Sequence, residues 1–149
     1  MRKRIIDQNL TYLNQLMNRH LEALGLPHEV CFQPDLSVEI SLLGRDFHFE
    51  QLSRGKMNRV ILATSWSFRD VWESLNTAIN LLMVDEFADN GLDDAGAEAV
   101  IAILHKMAGD QGRNVFLISH KEALISRVNR ILLVHKENQF SRFEANADF

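Results

Sequence analysis

The spacing of apolar positions changes period several times along the chain, and each change marks an element. Ile6, Leu10, Leu13, Met17, Leu21 and Leu24 recur at three- and four-residue steps, which places them on one face of a helix. Gly25 and Pro27 then stop that helix in the usual order. The stripe fits either a single amphipathic helix packed on a domain or the base of a coiled coil, being shorter than the repeats that secure a coiled coil. Over residues 29–49 the period falls to two. Val38, Ile40 and Leu42 alternate with Ser37, Glu39 and Ser41, and Gly44-Arg45 makes a turn into Phe47-His48-Phe49. This pattern predicts a β-meander with one solvated face.

A long helix is predicted after Ser53. Met57, Val60, Ile61, Ala63, Thr64, Phe68, Val71, Trp72 and Leu75 keep a broad helical stripe, and no Gly or Pro falls between Gly55 and Gly91. Leu81 to Val84 is then a continuous apolar run, as in a strand buried on both faces. A helix over 93–108, a strand over 114–118, a short helix from about 121, a strand over 130–134 and a last strand near 139–143 complete the chain. Strands alternating with helices predict an α/β fold with a mostly parallel sheet, flanking helices and an antiparallel edge. With no internal repeat, low-complexity tract or linker, the expectation is one compact lobe over 26–149 with a helical arm over 1–25.

Composition narrows the class. The 149 residues suffice for one core, and the apolar and charged fractions of 46% and 24% are those of an ordinary soluble protein. The net charge of −4 argues against a surface that wraps nucleic acid throughout, since that needs an excess of Lys and Arg. Met1-Arg2-Lys3-Arg4 is a local basic patch, readable as a DNA contact or as a solvated helix start. The single cysteine, Cys31, excludes an internal disulfide and a cysteine-based zinc site and points to a reducing, cytoplasmic setting. Its neighbours Val30 and Phe32 predict a buried thiol. No apolar run approaches a membrane span, and no hydrophobic signal core follows the basic start.

Three places carry chemistry. Asp85-Glu86 ends the apolar strand, where ligands of open α/β sheets bind; one carboxylate suits a magnesium ion and the other an attacking water. Ser53 stands at a helix start, where a hydroxyl, backbone N–H groups and the dipole favour an anion, or where it simply caps the helix. His120 follows the strand Val115–Ile118; an imidazole there is a hydrogen-bond donor to phosphate or a polar turn residue. The other five histidines, His20, His28, His48, His105 and His135, show no ligand spacing.

In order, Gln51-Leu52-Ser53-Arg54-Gly55-Lys56, Leu81-Leu82-Met83-Val84-Asp85-Glu86, Asn90-Gly91-Leu92-Asp93 and Phe116-Leu117-Ile118-Ser119-His120 resemble the signature, Walker B, D-loop and switch-histidine motifs of ABC-type ATPase heads. The closest flavour is the SMC-like ATPases of double-strand-break repair and recombination, of the SbcC type or from phage recombination endonucleases. The resemblance runs from Phe49 to Leu132. It implies the C-terminal lobe of an ABC/SMC-type P-loop ATPase head, with ATP and Mg2+ as cofactors. It assigns Asp85 to the metal and Glu86 to the catalytic water. Ser53, Arg54, Gly55 and Lys56 would meet the γ-phosphate held by an opposite head, and His120 would sense the γ-phosphate; Asp93 would couple the two sites, although Asp93 and Asp94 equally suit caps of the following helix. Arg54 replaces a glycine of the family pattern, Lys56 an acid or amide, and Phe87 a frequent proline, while Asp89 enlarges the acidic cluster.

No G-x-x-x-x-G-K-[ST] motif occurs, so the phosphate loop is expected from an N-terminal lobe, in the same or a separate chain, and the chain alone is expected to be inactive. Further implied partners are a second head, a nuclease subunit and, through the full complex, DNA, with no membrane. The N-terminal arm helix leading into a meander directly before the signature disfavours a transporter nucleotide-binding domain. A non-catalytic docking module is the other reading, motivated by Arg54 and the absent loop. The joint presence of Asp85, Glu86 and His120 argues against it, because a dead site needs none of them.

Overall fold

The computed structural model describes residues 2–35, 37–86 and 92–146. Helix α1 (Arg2–Ala23) leads into a meander of β1 (His28–Phe32), β2 (Val38–Leu42) and β3 (Arg45–Phe47). Helix α2 (Arg54–Leu75) follows, then β4 (Leu81–Asp85), α3 (Asp94–Gly109), β5 (Asn114–Ile118), a 3-10 turn over Glu122–Arg127, and a hairpin of β6 (Ile131–Glu137) and β7 (Phe140–Asn146). No helix among the described residues is long and apolar enough to cross a membrane.

The helical stripe of α1 is absorbed by the core. Leu13, Met17, Leu21 and Leu24 are buried together with Val30 and Ile40 of the meander, Val60, Ala63 and Trp66 of α2, Val84 of β4, and Val100, Leu104 and Met107 of α3. Ile6 lies outside the residues whose side chains are described. The polar side of α1 has work too. Asn14 accepts from the Phe32 N–H at 2.8 Å and donates to the Phe32 carbonyl at 3.0 Å. One turn on, Asn18 does the same for Val30 at 3.0 and 3.3 Å. Two asparagines four residues apart thus satisfy a strand edge that would otherwise be left unpaired.

The meander pairs antiparallel, with Val30 opposite Ile40 and Ile40 opposite Phe47. The second turn falls one residue earlier than Gly44-Arg45 suggests: Leu43 and Gly44 both adopt positive φ, and Arg45 already opens β3. Cys31 corrects an expectation: it is exposed. Inward and outward positions alternate along β1, and with His28, Val30 and Phe32 buried, Cys31 falls on the outer face.

β4 and β5 pair in parallel, Asp85 opposite Ile118. Here too an expectation fails. The apolar run of β4 is covered on one side only: Leu81 and Met83 stay 45% and 61% exposed, and on the same face Phe116 and Ile118 of β5 are 53% and 42% exposed. Leu82, Val84, Val115 and Leu117 point the other way, into the core shared with α3. Among the described residues the β6–β7 hairpin forms its own two-stranded sheet rather than an edge of the β4–β5 pair. The hairpin presents Leu132, Val134 and Phe143 to solvent. The broad stripe of α2 likewise divides into a buried side and an open side of Ile61, Phe68, Trp72 and Leu75.

Candidate functional site

The parallel register builds the first group. With Asp85 opposite Ile118, the residues just beyond both strands arrive side by side at their carboxyl ends. Glu86 turns sharply, at φ 46°, and its N–H donates to the Ile118 carbonyl at 2.9 Å. Its Oε1 then lies 3.1 Å from Nε2 of His120. Both side chains are open to solvent, as is Asp85. Two carboxylates and an imidazole, predicted from separate motifs, share one site at the carboxyl end of a parallel pair, the place where open α/β sheets bind ligands. Ser119 closes the turn by accepting from the Lys121 N–H at 3.1 Å.

Ser53 to Lys56 form the second group. Ser53 is extended and caps the 22-residue α2, its Oγ accepting from the Lys56 N–H at 3.4 Å. Leu52 anchors the turn in the core, leaving Ser53, Arg54 and Lys56 exposed and Gly55 half-buried around the positive end of the helix dipole. The arrangement suits an anion: a hydroxyl, the positive end of a helix dipole and two cationic side chains.

Asp93 caps α3, accepting from the Gly96 N–H at 2.9 Å. That hydrogen bond, then the charge of Arg59, hold its carboxyl below the usual carboxylate range. Asn90 and Gly91, the first half of the D-loop-like motif, lie outside the described residues, as do Phe87 and Asp89.

Sequence reasoning passed over three groups. Arg59 is buried on the inner side of α2, paired with Asp93. The signal was available: a charged residue at helical spacing with Leu62, Ala63 and Trp66 sits inside an apolar stripe. His28, at the start of β1, is buried against Phe47 at a 5.2 Å ring separation, and neither ring nitrogen has a hydrogen-bond partner among the described residues. Burial, then the charge of Lys56, lower its affinity for a proton. Glu73, near the end of α2, holds Arg113 through both oxygens, at 2.9 and 2.5 Å, and Arg69 at 2.9 Å. This ties α2 to the start of β5.

The donors present fit a magnesium nucleotide. Asp85 and Glu86 are hard oxygen donors, and one or two carboxylates, with waters and phosphate oxygens supplying the rest, is how magnesium is usually held.

No family model matches the chain. In sequence it is 28% identical over 120 residues to exonuclease subunit 2 of Escherichia phage RB69, covering 79% of this chain and 21% of the relative. Against exonuclease subunit 2 of Enterobacteria phage T4 it is 26% identical over 139 residues, covering 92% and 24%. The chain therefore spans about a quarter of the length of the curated relatives it matches. In structure it superposes on a chain described under ATP-driven dimerization and DNA-stimulated activation of SMC ATPases, with a TM-score of 0.79 at 14% identity, covering 97% of this chain and 89% of the other. The fold is that of SMC ATPase heads, as the motif order implied.

Proposed function

We propose that this chain is the C-terminal half of an ATP-hydrolysing SMC-like head that works on DNA beside a nuclease. The observation that carries the reading is the meeting of Asp85, Glu86 and His120 at the carboxyl ends of β4 and β5. The two relatives named as exonuclease subunits support the nuclease setting, and the SMC-type fold supports the nucleotide chemistry.

Each residue has a distinct task. Asp85 would hold a magnesium ion, which when bound would offset the charge of the phosphates. Glu86 orients and deprotonates the attacking water, its carboxylate already positioned by the His120 ring. With nucleotide bound, His120 turns its single N–H from Glu86 to the terminal phosphate. Ser53, Arg54, Gly55 and Lys56 offer the anion site at the start of α2 to the nucleotide of a second head, and Asp93 links the two sites in the closed dimer. The phosphate loop comes from an N-terminal lobe, and the open apolar face of Leu81, Met83, Phe116 and Ile118 gives that lobe a surface to cover. Helix α1 is the root of an arm.

In a head completed by that lobe, Glu86→Gln keeps shape and hydrogen bonding but loses the base. Hydrolysis falls by about 100-fold or more while ATP-driven association persists. Unchanged single-cycle turnover removes Glu86 from this role. A wild-type head that associates yet never hydrolyses ATP is instead the docking module.

A further inference from the structure

We propose that Arg59 is a positioning residue that links the end of α1 to the N-terminus of α3, so that movement of the arm helix reaches Asp93 and the start of α3. Its guanidinium bridges two other segments from the middle of the core. Nη1 donates to the Leu24 carbonyl at 3.2 Å, and Nη2 donates to Oδ1 of Asp93. Leu24 is fully buried one residue past α1, whose last turn closes through Leu26 N–H to the Leu21 carbonyl at 2.9 Å and a left-handed Gly25. Its carbonyl belongs to the negative end of the α1 dipole, and Asp93 is the anionic cap of α3. One cation therefore holds together two helix ends that are 69 residues apart in sequence, Leu24 and Asp93.

The surroundings are shaped for this contact. A side chain at Gly96 would place its Cβ 2.7 Å from Nε of Arg59 and 2.9 Å from Oδ1 of Asp93, so the close approach requires glycine there. The contact is also poorly explained as packing. Nε of Arg59 has no hydrogen-bond partner among the described residues, and an apolar side chain on this face of α2 would avoid that burial. Asp93 is 60% exposed, so it loses little when its partner goes. Arg59 lies six residues after Ser53 on the same helix, which brings the anion-binding end of α2 into the same linkage.

The linkage itself does not depend on the ATPase reading, whereas its consequence for turnover rests on it, and the test separates the two. Hydrogen exchange is followed on the full chain as wild type, R59M, D93N and the double variant. D93N keeps an acceptor at this position but removes the charge that holds the guanidinium, so exchange at Gly25 and Leu26 rises by about threefold along with exchange at Gly96, because the loosened Arg59 no longer fixes Leu24. R59M raises exchange at both ends, and adding D93N to it raises exchange at Gly25 and Leu26 no further. A D93N chain with unchanged exchange at Gly25 and Leu26 overturns the proposal. In the completed head, R59M and D93N each lower kcat by about tenfold with KM for ATP within about twofold, and the double variant is no slower than either. Losses that multiply overturn the catalytic consequence. A wild-type head without turnover overturns the ATPase reading, and the exchange data then decide the linkage alone.

Discussion

Glu86 is held at φ 46°, a region where a side chain costs about 1–2 kcal/mol, because its N–H must reach the Ile118 carbonyl and its carboxylate must face His120. Strain of this kind at the proposed base has a measurable signature. Glu86→Gly relieves the clash at some cost in chain entropy, so denaturant unfolding shows a gain of about 0.5–1 kcal/mol while hydrolysis by the completed head is lost. A loss of stability instead shows that the turn is not strained. His28 gives a second residue-level expectation, in pH. Burial and then Lys56 place its folded proton affinity below the ordinary value near 6.5, so the unfolded chain binds the extra proton. Its contribution to stability is therefore complete above about pH 6.5 and is lost as pH falls below that, through the folded value. Between pH 7.5 and 5.5 the wild-type unfolding midpoint falls more steeply than that of His28→Leu. The difference in slope is bounded by about 1.4 kcal/mol per pH unit, and equal slopes refute it.

At the scale of elements, α2 organises the lobe. Its start carries Ser53, its second turn holds Asp93 through Arg59, and its end grips the start of β5 through Glu73 and Arg113. His20 of α1 adds a 2.9 Å contact to Asp70 on the same helix. Glu73 is nearly buried between two arginines, so Glu73→Ala strands both guanidiniums and costs about 3 kcal/mol. Arg69→Ala leaves Glu73 paired with Arg113 and costs about 1 kcal/mol. Equilibrium unfolding of both variants checks the order; equal losses would mean that Arg113 contributes nothing. What was legible in the sequence was local. The changes in hydrophobic period located α2, β5 and the hairpin, because each period reports one element's own geometry. The motifs put Glu86 and His120 each just past a strand, but their contact came only with the parallel register of β4 and β5. Contacts set by the fold were not legible: Glu73 finds Arg113 only once β5 lies against α2. Cys31 was misread because apolar neighbours suggested burial, while strand alternation alone decided its side. The apolar run of β4 says that both faces suit a core, not that this chain supplies both covers.

At the scale of the whole molecule, the main fact is how much apolar surface this chain leaves uncovered. Leu81, Met83, Phe116 and Ile118 form one continuous patch across β4 and β5, since Met83 pairs with Phe116 in the parallel register. Water is an unfavourable neighbour for such a surface, whereas a packed sheet face is a favourable one. If the phosphate-loop lobe covers it, burying Met83 and Phe116 supplies about 1.5 kcal/mol each or more to the association of the halves. Met83→Ser with Phe116→Ser should then weaken complementation by that lobe by about 100-fold, roughly 3 kcal/mol. The same pair should change the stability of the chain alone by less than about 0.5 kcal/mol, because both side chains already face water. The comparison isolates the patch from the fold: titration of one half with the other reads the first quantity, and denaturant unfolding reads the second. Affinity that survives the double substitution would mean that this face meets something other than the phosphate-loop lobe. The pairing of Asp85, Glu86 and His120 would then need its missing phosphate cradle from another direction.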